Sequence, residues 1–533
     1  MRFQIQSLKF ILACFYGALL SLPFDGQAQG YAVDNSFGTN GVFTYSSPNY
    51  SLSIHSVFSN ANDKILTLSR AWDVVGGNYN VKGFGLYSLS QNGTPTSPPL
   101  SFVPASLASI SYVESNGRIS LLSVESDTLT VHSYYSDGSP DMTVGVGGTA
   151  RTVMQNINGI VPTRLIRLSD GSFVLAATMS SDVALIKCTP NGKVDSSFGV
   201  NGKAKYHFGN GINCYSTDLK VQLDGKLILV GTAGTPPSGN DEDMLVARFR
   251  ASGQLDSSFG TSGVRLIQAG SLNDRATNVA IRSDGRIVIV GISEYNNVVA
   301  AQLLPNGTLD ASFGNQGVFV TQSTGQADGL RAKGMVLLPD GKLVIACDGQ
   351  YTNGTSIPGL ALLRLNTNGT PDLSVSPNGR YFFRTGSHTK DVIPSLYYFS
   401  STPALAVQSD GGVVLGYYYT DSSVNNKITS FAMVRFKPSA LGVDETKSQF
   451  SRLALYPNPV VADVLNLRFT YNGSTAKYWS AALINAQGKS MGTYRLWEGV
   501  DNALPVGGLP SGLYLVQLLR DGAVVETGKL RKE

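Results

Sequence analysis

The chain has 533 residues and a formal net charge of +4, and 15% of its residues are charged. So small a charge on so long a chain gives no electrostatic basis for binding nucleic acid or a membrane surface. Its 58 glycines and 24 tyrosines against four histidines fit a turn-rich β protein and not a helical one.

Residues 1–28 read as a cleavable export signal. Arg2 and Lys9 supply the positive start, and an apolar run from Phe10 to Leu22 follows. Pro23 and Asp25 close that run too early for it to span a bilayer. Gly26-Gln27-Ala28 places small residues before the cut, so cleavage is expected after Ala28. Cys14 lies too early in the apolar run to be a lipid-anchor cysteine, and no integral membrane span is expected in the mature chain. About 505 residues would remain, too many for one core, so at least two domains are expected. Cys188, Cys214 and Cys347 are an odd, scattered set without a Cys-x-x-Cys pair, which argues against disulfides and structural zinc.

Two phrases alternate along residues 30–440. The first, Asp-x-Ser-Phe-Gly-x-x-Gly, begins at Asp34, Asp195, Asp256 and Asp310; degenerate copies begin at Asp141 and Asp372, and a seventh near residues 96–99 is barely legible. The second is Asp-Gly-Lys/Arg and an apolar run, as in Asp224-Gly225-Lys226, Asp284-Gly285-Arg286 and Asp340-Gly341-Lys342. Weaker copies stand at Asn62-Asp63, Asn116-Gly117, Asp170-Gly171 and Asp410-Gly411. These mark seven units of about 54–70 residues, with the first three intervals at 54.

Asp-Gly between two apolar runs signals a hairpin, because the tight turn needs positive φ. The run Ile287–Val290 is apolar at every position, which predicts a strand covered on both faces. A third run, 298–304, and a fourth, 318–321, which would open the next unit, give four strands per unit. The fold class is therefore all-β: a seven-bladed β-propeller over residues 29–436, a closed ring without exposed sheet edges. A parallel β-helix ranks second, since its coils are shorter and lack Asp-Gly hairpins. The paired phrases resemble the delta-60 repeat of bacterial secreted proteins, most specifically in the fourth to sixth units. That resemblance implies architecture; the family carries no general assigned activity.

Residues 437–450 break the repeat and read as a linker. Beyond them, short apolar runs separated by Asn472-Gly473, Gln487-Gly488 and Asp521-Gly522 predict a small Ig-like β-sandwich over 451–533. Tyr456-Pro457-Asn458-Pro459, Leu465-Asn466-Leu467, Gly488-Lys489, Leu509-Pro510-Ser511-Gly512-Leu513-Tyr514 and Lys529-Leu530 occur there in order. The set is similar to the type A C-terminal sorting domain of the type IX secretion system. The resemblance implies recognition by that machinery in a Gram-negative cell, passage through periplasm and outer membrane, and release or tethering at the surface. Arg531 departs from the family, which carries an apolar residue in its last strand.

No catalytic constellation emerges, and no catalytic residue, metal or cofactor is expected. His55, His132, His207 and His388 lie in different units, and no Gly-x-Ser-x-Gly is present. The recurring aspartates supply one carboxylate per phrase where a calcium loop needs several, so they read as turn-forming acceptors. Phe37, Phe198, Phe259 and Phe313 read as plugs between blades. Asp241-Glu242-Asp243 reads as a solvated acidic loop.

In a meander the tight turns share one end of every blade. The connections at the other end vary: 72–80, 234–243, 350–358, 386–403 and 418–426. Variable loops on a rigid scaffold carry function, and amphipathic aromatics suit glycan or protein contacts. The candidate ligand-binding residues are therefore Trp72, Tyr79, Tyr215, Tyr295, Tyr351, Tyr397 and Tyr398. The leading expectation is a monomeric, non-catalytic propeller binding a glycan or protein ligand. The alternative is a secreted polysaccharide lyase or hydrolase with carboxylates at the ring centre.

Overall fold

The computed structural model describes residues 31–47, 50–60, 62–75, 78–96, 100–103, 110–114, 116–157, 159–208, 212–234, 242–294, 296–321, 329–352, 356–374, 379–383, 404–420, 429–438, 450–471, 479–485, 490–497, 500–520 and 523–533. Among them every helix or strand assigned is a strand. Two compact units emerge, one spanning Gly30–Pro438 and the other holding Ser439–Glu533. The proposed signal segment lies outside the described residues.

The described residues of the first unit form seven antiparallel sheets, six of four strands and one of five. The third is representative: Val161–Arg167, Phe173–Met179, Asp182–Cys188 and Lys203–Tyr206 pair in chain order. Asp170-Gly171 makes its first turn, with Gly171 at φ +82°, a conformation glycine adopts without strain. The Ser-Phe-Gly phrase carries the third strand into the fourth. The strand Val318–Val320 pairs with Asn297–Leu303 of its own sheet, so it closes its unit and does not open the next. The reason is local: the Asp310–Gly317 turn folds the chain back on itself, with Gln302 N–H bonding Gly317 C=O.

The second strands read as continuous apolar runs because both faces are covered. Leu227 and Leu229 pack with Val174 and Ala176 of the sheet before, whereas Ile228 and Val230 pack with Ile287 and Ile289 of the sheet after. The innermost strands are Ser51–Ser59, Ile110–Val113, Val161–Arg167, Asn213–Val221, Asp274–Ile281, Leu330–Leu337 and Leu405–Val407. Each touches the next, and the last touches the first. The closing sheet draws on both ends of the unit: Tyr31 pairs with Pro438 and Val33 with Phe436, and Val42 pairs with Val434.

Five innermost strands carry a one-residue bulge, at Ile54/Ser56, Pro162/Arg164, Ser216/Asp218, Ala276/Asn278 and Ala332/Gly334. A bulge bends its strand and re-aims the following side chain. Thr217, the bulged residue of the fourth sheet, donates to Val230 C=O of its own sheet and Ala276 C=O of the next.

In the second unit, Phe450–Tyr456, Val464–Tyr471 and Asn502–Pro505 form one sheet. Trp479–Asn485, Ser490–Leu496, Gly512–Arg520 and Ala523–Lys532 form the other. Leu467, Phe469 and Leu504 meet Trp479, Val516 and Leu518 in one buried core.

Candidate functional site

The end of the sheets bearing the tight turns is chemically occupied. Asp310 Oδ1 accepts from Ser312 N–H at 3.1 Å and from its hydroxyl at 2.6 Å, while Oδ2 accepts from Gln302 and from Arg286, each at 2.8 Å. The Ser312 hydroxyl first, with Gln302 and Arg286 adding to it, outweighs burial and holds this carboxyl at about 2. Asp34, Asp195, Asp256 and Asp372 repeat the arrangement with Ser36, Ser197, Ser258 and Ser374, and Asp141 does so with Thr143. In the barely legible copy Thr96 takes the aspartate's place and bonds Ser88. The phenylalanines are buried: Phe37, Phe259 and Phe313 show 0% exposure and Phe198 2%.

The opposite end receives the predicted aromatics unevenly. Tyr215 is 43% exposed on the innermost strand of the fourth sheet. Trp72 is half-buried. Within the segments 72–80 and 350–358, read as variable loops, the described residues are paired strands instead, with Trp72 paired to Val81, Tyr79 to Val74 and Tyr351 to Ile357. Ladder pairing satisfies their backbone groups, so the strands run on past the sheet body. Tyr295, Tyr397 and Tyr398 lie outside the described residues.

Sequence reasoning missed the residues at the centre. Arg164, Asp218, Lys220 and Asn278 line a cavity of about 260 Å³ among the innermost strands, with Met335 and Val407 among its apolar walls. Arg164 Nε stands 2.9 Å from Asp218 Oδ1. Asp218 also accepts from Leu219 N–H at 2.9 Å and from Val279 N–H at 3.0 Å, so one carboxylate ties three successive sheets. Burial pushes the Lys220 ammonium down, with Arg164 adding to that and Asp218 opposing it. The available signal was position: Arg164, Asp218 and Asn278 each precede an Asp-Gly turn by six residues.

Elsewhere the chemistry is structural. His55 is buried against Phe84, and burial, with Arg70 and Arg164 adding to it, pushes its imidazole down to about 3. His207 bonds Asp182 at 2.6 Å and His132 meets Thr149; His388 is outside the described residues. Cys188, Cys214 and Cys347 are buried free thiols, Cys188 and Cys214 pushed up to about 12 by burial. Glu242 of the acidic run pairs with Arg275 at 2.5 Å. Among the described residues no group of three or more His, Cys, Asp or Glu could hold a metal, and no helix is long and apolar enough to cross a membrane.

In the second unit the sorting-motif residues fasten the last strand. Asn458 Nδ2 donates to Lys529 C=O at 2.7 Å, and its Oδ1 accepts from Arg531 N–H at 3.0 Å. Tyr456-Pro457 and Asn458-Pro459 are cis. Tyr514 is buried with its hydroxyl on Pro510 C=O at 2.7 Å; Leu509 packs against the core, and Gly512 opens the strand that carries Tyr514. Lys529 is exposed, and Gly488 lies outside the described residues. Arg531 is exposed beside Glu533, so the strand accommodates its departure from the family pattern on an outward face.

Residues 222–259, 282–313 and 338–374 match a family described as a domain of unknown function (DUF5122) beta-propeller. Residues 454–532 match the secretion system C-terminal sorting domain. No curated protein matches the chain. Similar solved structures include a protein from Lactobacillus plantarum (13% identity, TM-score 0.34, covering 62% of this chain and 88% of that one). Others are polysaccharide lyase Uly1 (11%, TM-score 0.40, 78% and 98%) and prolyl oligopeptidase B from Galerina marginata (10%, TM-score 0.37, 81% and 57%). The chain thus carries stretches that match the DUF5122 beta-propeller family and a C-terminal sorting domain, and it is exported by type IX secretion to the cell surface or the medium.

Proposed function

We propose that the seven sheets are the blades of a closed propeller acting outside the cell as a non-catalytic binding scaffold. Its ligand, a glycan or protein, is taken at the end opposite the tight turns. The observation carrying this reading is the occupation of the tight-turn end, where the phrase carboxylates are bonded internally and the phrase phenylalanines are buried. Surface for recognition is left at the other end, where Tyr215 is exposed and two strand pairs extend. Residues 1–28 serve as the inner-membrane signal, 437–450 as a linker, and 451–533 as an Ig-like sandwich that presents the sorting motif.

The enzyme alternative asks for two carboxylates within ~5–10 Å of each other at the centre. Asp218 is the one carboxylate among the described residues lining the central cavity, and Arg164 holds it. The test is a glycan and protein-ligand array probed with the purified secreted chain, beside a Tyr215→Ala variant. Binding that the substitution weakens at least fivefold supports the reading. Absence of binding together with cleavage of a polysaccharide panel overturns it.

A further inference from the structure

Arg164, Asp218 and Asn278 occupy the same position, just after the bulge, on three successive innermost strands. Asp218 spends its oxygens on Arg164 and two backbone N–H groups. Asn278 has the same shape one sheet on, yet its Oδ1 is buried without a hydrogen-bond partner, in a residue 4% exposed. A buried amide oxygen left unmatched costs about 1–3 kcal/mol, so a donor in the cavity would be held there. Two basic side chains, Arg164 and Lys220, line that cavity with a single carboxylate, which Arg164 engages, so an anion entering it would face Lys220. The volume of about 260 Å³ equals roughly nine waters at ~30 Å³ each, room for a sugar acid but not an oligomer.

We propose that this cavity binds a small hydroxycarboxylate, its carboxylate on Lys220 and a hydroxyl donating to Asn278 Oδ1. Met335 and Val407 supply apolar wall against the rest of the ligand. The site is separate from the variable-end ligand surface, and Tyr215→Ala leaves it unchanged.

The experiment titrates D-glucuronate into the purified full chain by calorimetry, with D-glucose and sulfate as comparison probes. Saturable binding of one glucuronate per chain is expected, with glucose silent and sulfate weaker. Lys220→Met should weaken glucuronate at least about tenfold, the scale of one charged hydrogen bond, and Asn278→Leu at least about threefold, the scale of a neutral one. Should either fail to fold, Asn278→Asp keeps the shape, adds a repelling charge, and should abolish binding. No glucuronate binding, binding that survives the folded variants, or sulfate binding as tightly as glucuronate overturns the proposal. Loss of array binding in Tyr215→Ala with glucuronate affinity intact would support both sites independently.

Discussion

Phe259 of the fourth sheet sits against Gly307 of the fifth: a Cβ on Gly307 would lie 2.9 Å from the Phe259 ring and 2.7 Å from Gly260 N. Gly260 N–H bonds Asn306 C=O at 2.8 Å beside that contact. The same pairing joins Phe37 to Gly93, Phe198 to Gly253 and Phe313 to Gly369, and Val144 substitutes for the ring over Gly192. Five of the seven sheets thus seat an aromatic or branched side chain on a bare backbone in the neighbour.

Gly307→Ala should destabilise the chain by about 2–4 kcal/mol. Its φ of +88° is strained for alanine, and the new methyl group overpacks Phe259. Urea unfolding of the purified chain measures this, and a loss under about 0.5 kcal/mol would remove the latch from the account.

Phe259→Ala should cost about 3–5 kcal/mol as a large buried ring is deleted. Combined with Gly307→Ala it should cost less than the sum of the two, because the cavity left by the ring receives the added methyl. Strict additivity in the double mutant would contradict direct contact.

Asp310→Asn should lower stability at pH 6 by about 1–2 kcal/mol. The carboxyl is depressed from 3.8 to about 2, so its contribution is complete above pH 4 and is lost as pH falls towards 2. Partial exposure of Arg286 reduces the figure that the shift alone would give. Unfolding curves of the two proteins should converge near pH 2; a constant difference between pH 6 and pH 2 would contradict an origin in the hydrogen-bonded, ionised carboxylate.

Asp218→Ala should cost about 3–5 kcal/mol, since it leaves the buried Arg164 without its carboxylate. The pair Arg164→Met with Asp218→Leu should cost less than Asp218→Ala alone, because the Arg164 charge then leaves together with its partner. Thermal unfolding of the three variants checks the order, and a double variant weaker than the single one refutes it.

Asn458→Ala removes both side-chain bonds to the last strand and should cost that strand about 1–2 kcal/mol. Hydrogen exchange at the Arg531 amide of the full chain should speed up, and less protein should reach the medium. An unchanged Arg531 amide would show that the strand is fastened elsewhere.

The repeating turns were legible because their chemistry is local: Asp310 bonds Ser312 two residues on, and Gly285 takes its positive φ alone. The link between the two phrases was not. Arg286, Lys342 and Arg118, from the Asp-Gly or Asn-Gly phrases, reach Asp310, Asp372 and Asp141 across each sheet. Those partners stand more than twenty residues apart, so nothing local ties them. The central cavity was hidden for another reason. The position six residues before each turn holds Ser56, Ile110, Arg164, Asp218, Asn278, Gly334 and Ala404, so it has no common residue type to read as a motif. The paired strands within 72–80 and 350–358 were misread because the glycines and asparagines there imitate a loop, and strand pairing overrode that preference.

Pairing Val33 with Phe436 has a consequence for the order of assembly. The last seam joins the extremes of a stretch some four hundred residues long, a contact that chain entropy makes slow to form. Until it forms, the strand Thr429–Pro438 exposes an unpaired edge, the kind of surface on which chains stick to one another. Removal of residues 31–45 would leave that edge open permanently. A circular permutant that fuses the two extremes and opens instead at 235–241 would make this seam local and hand the long-range closure to the pairing of Leu227–Gly234 with Glu242–Phe249.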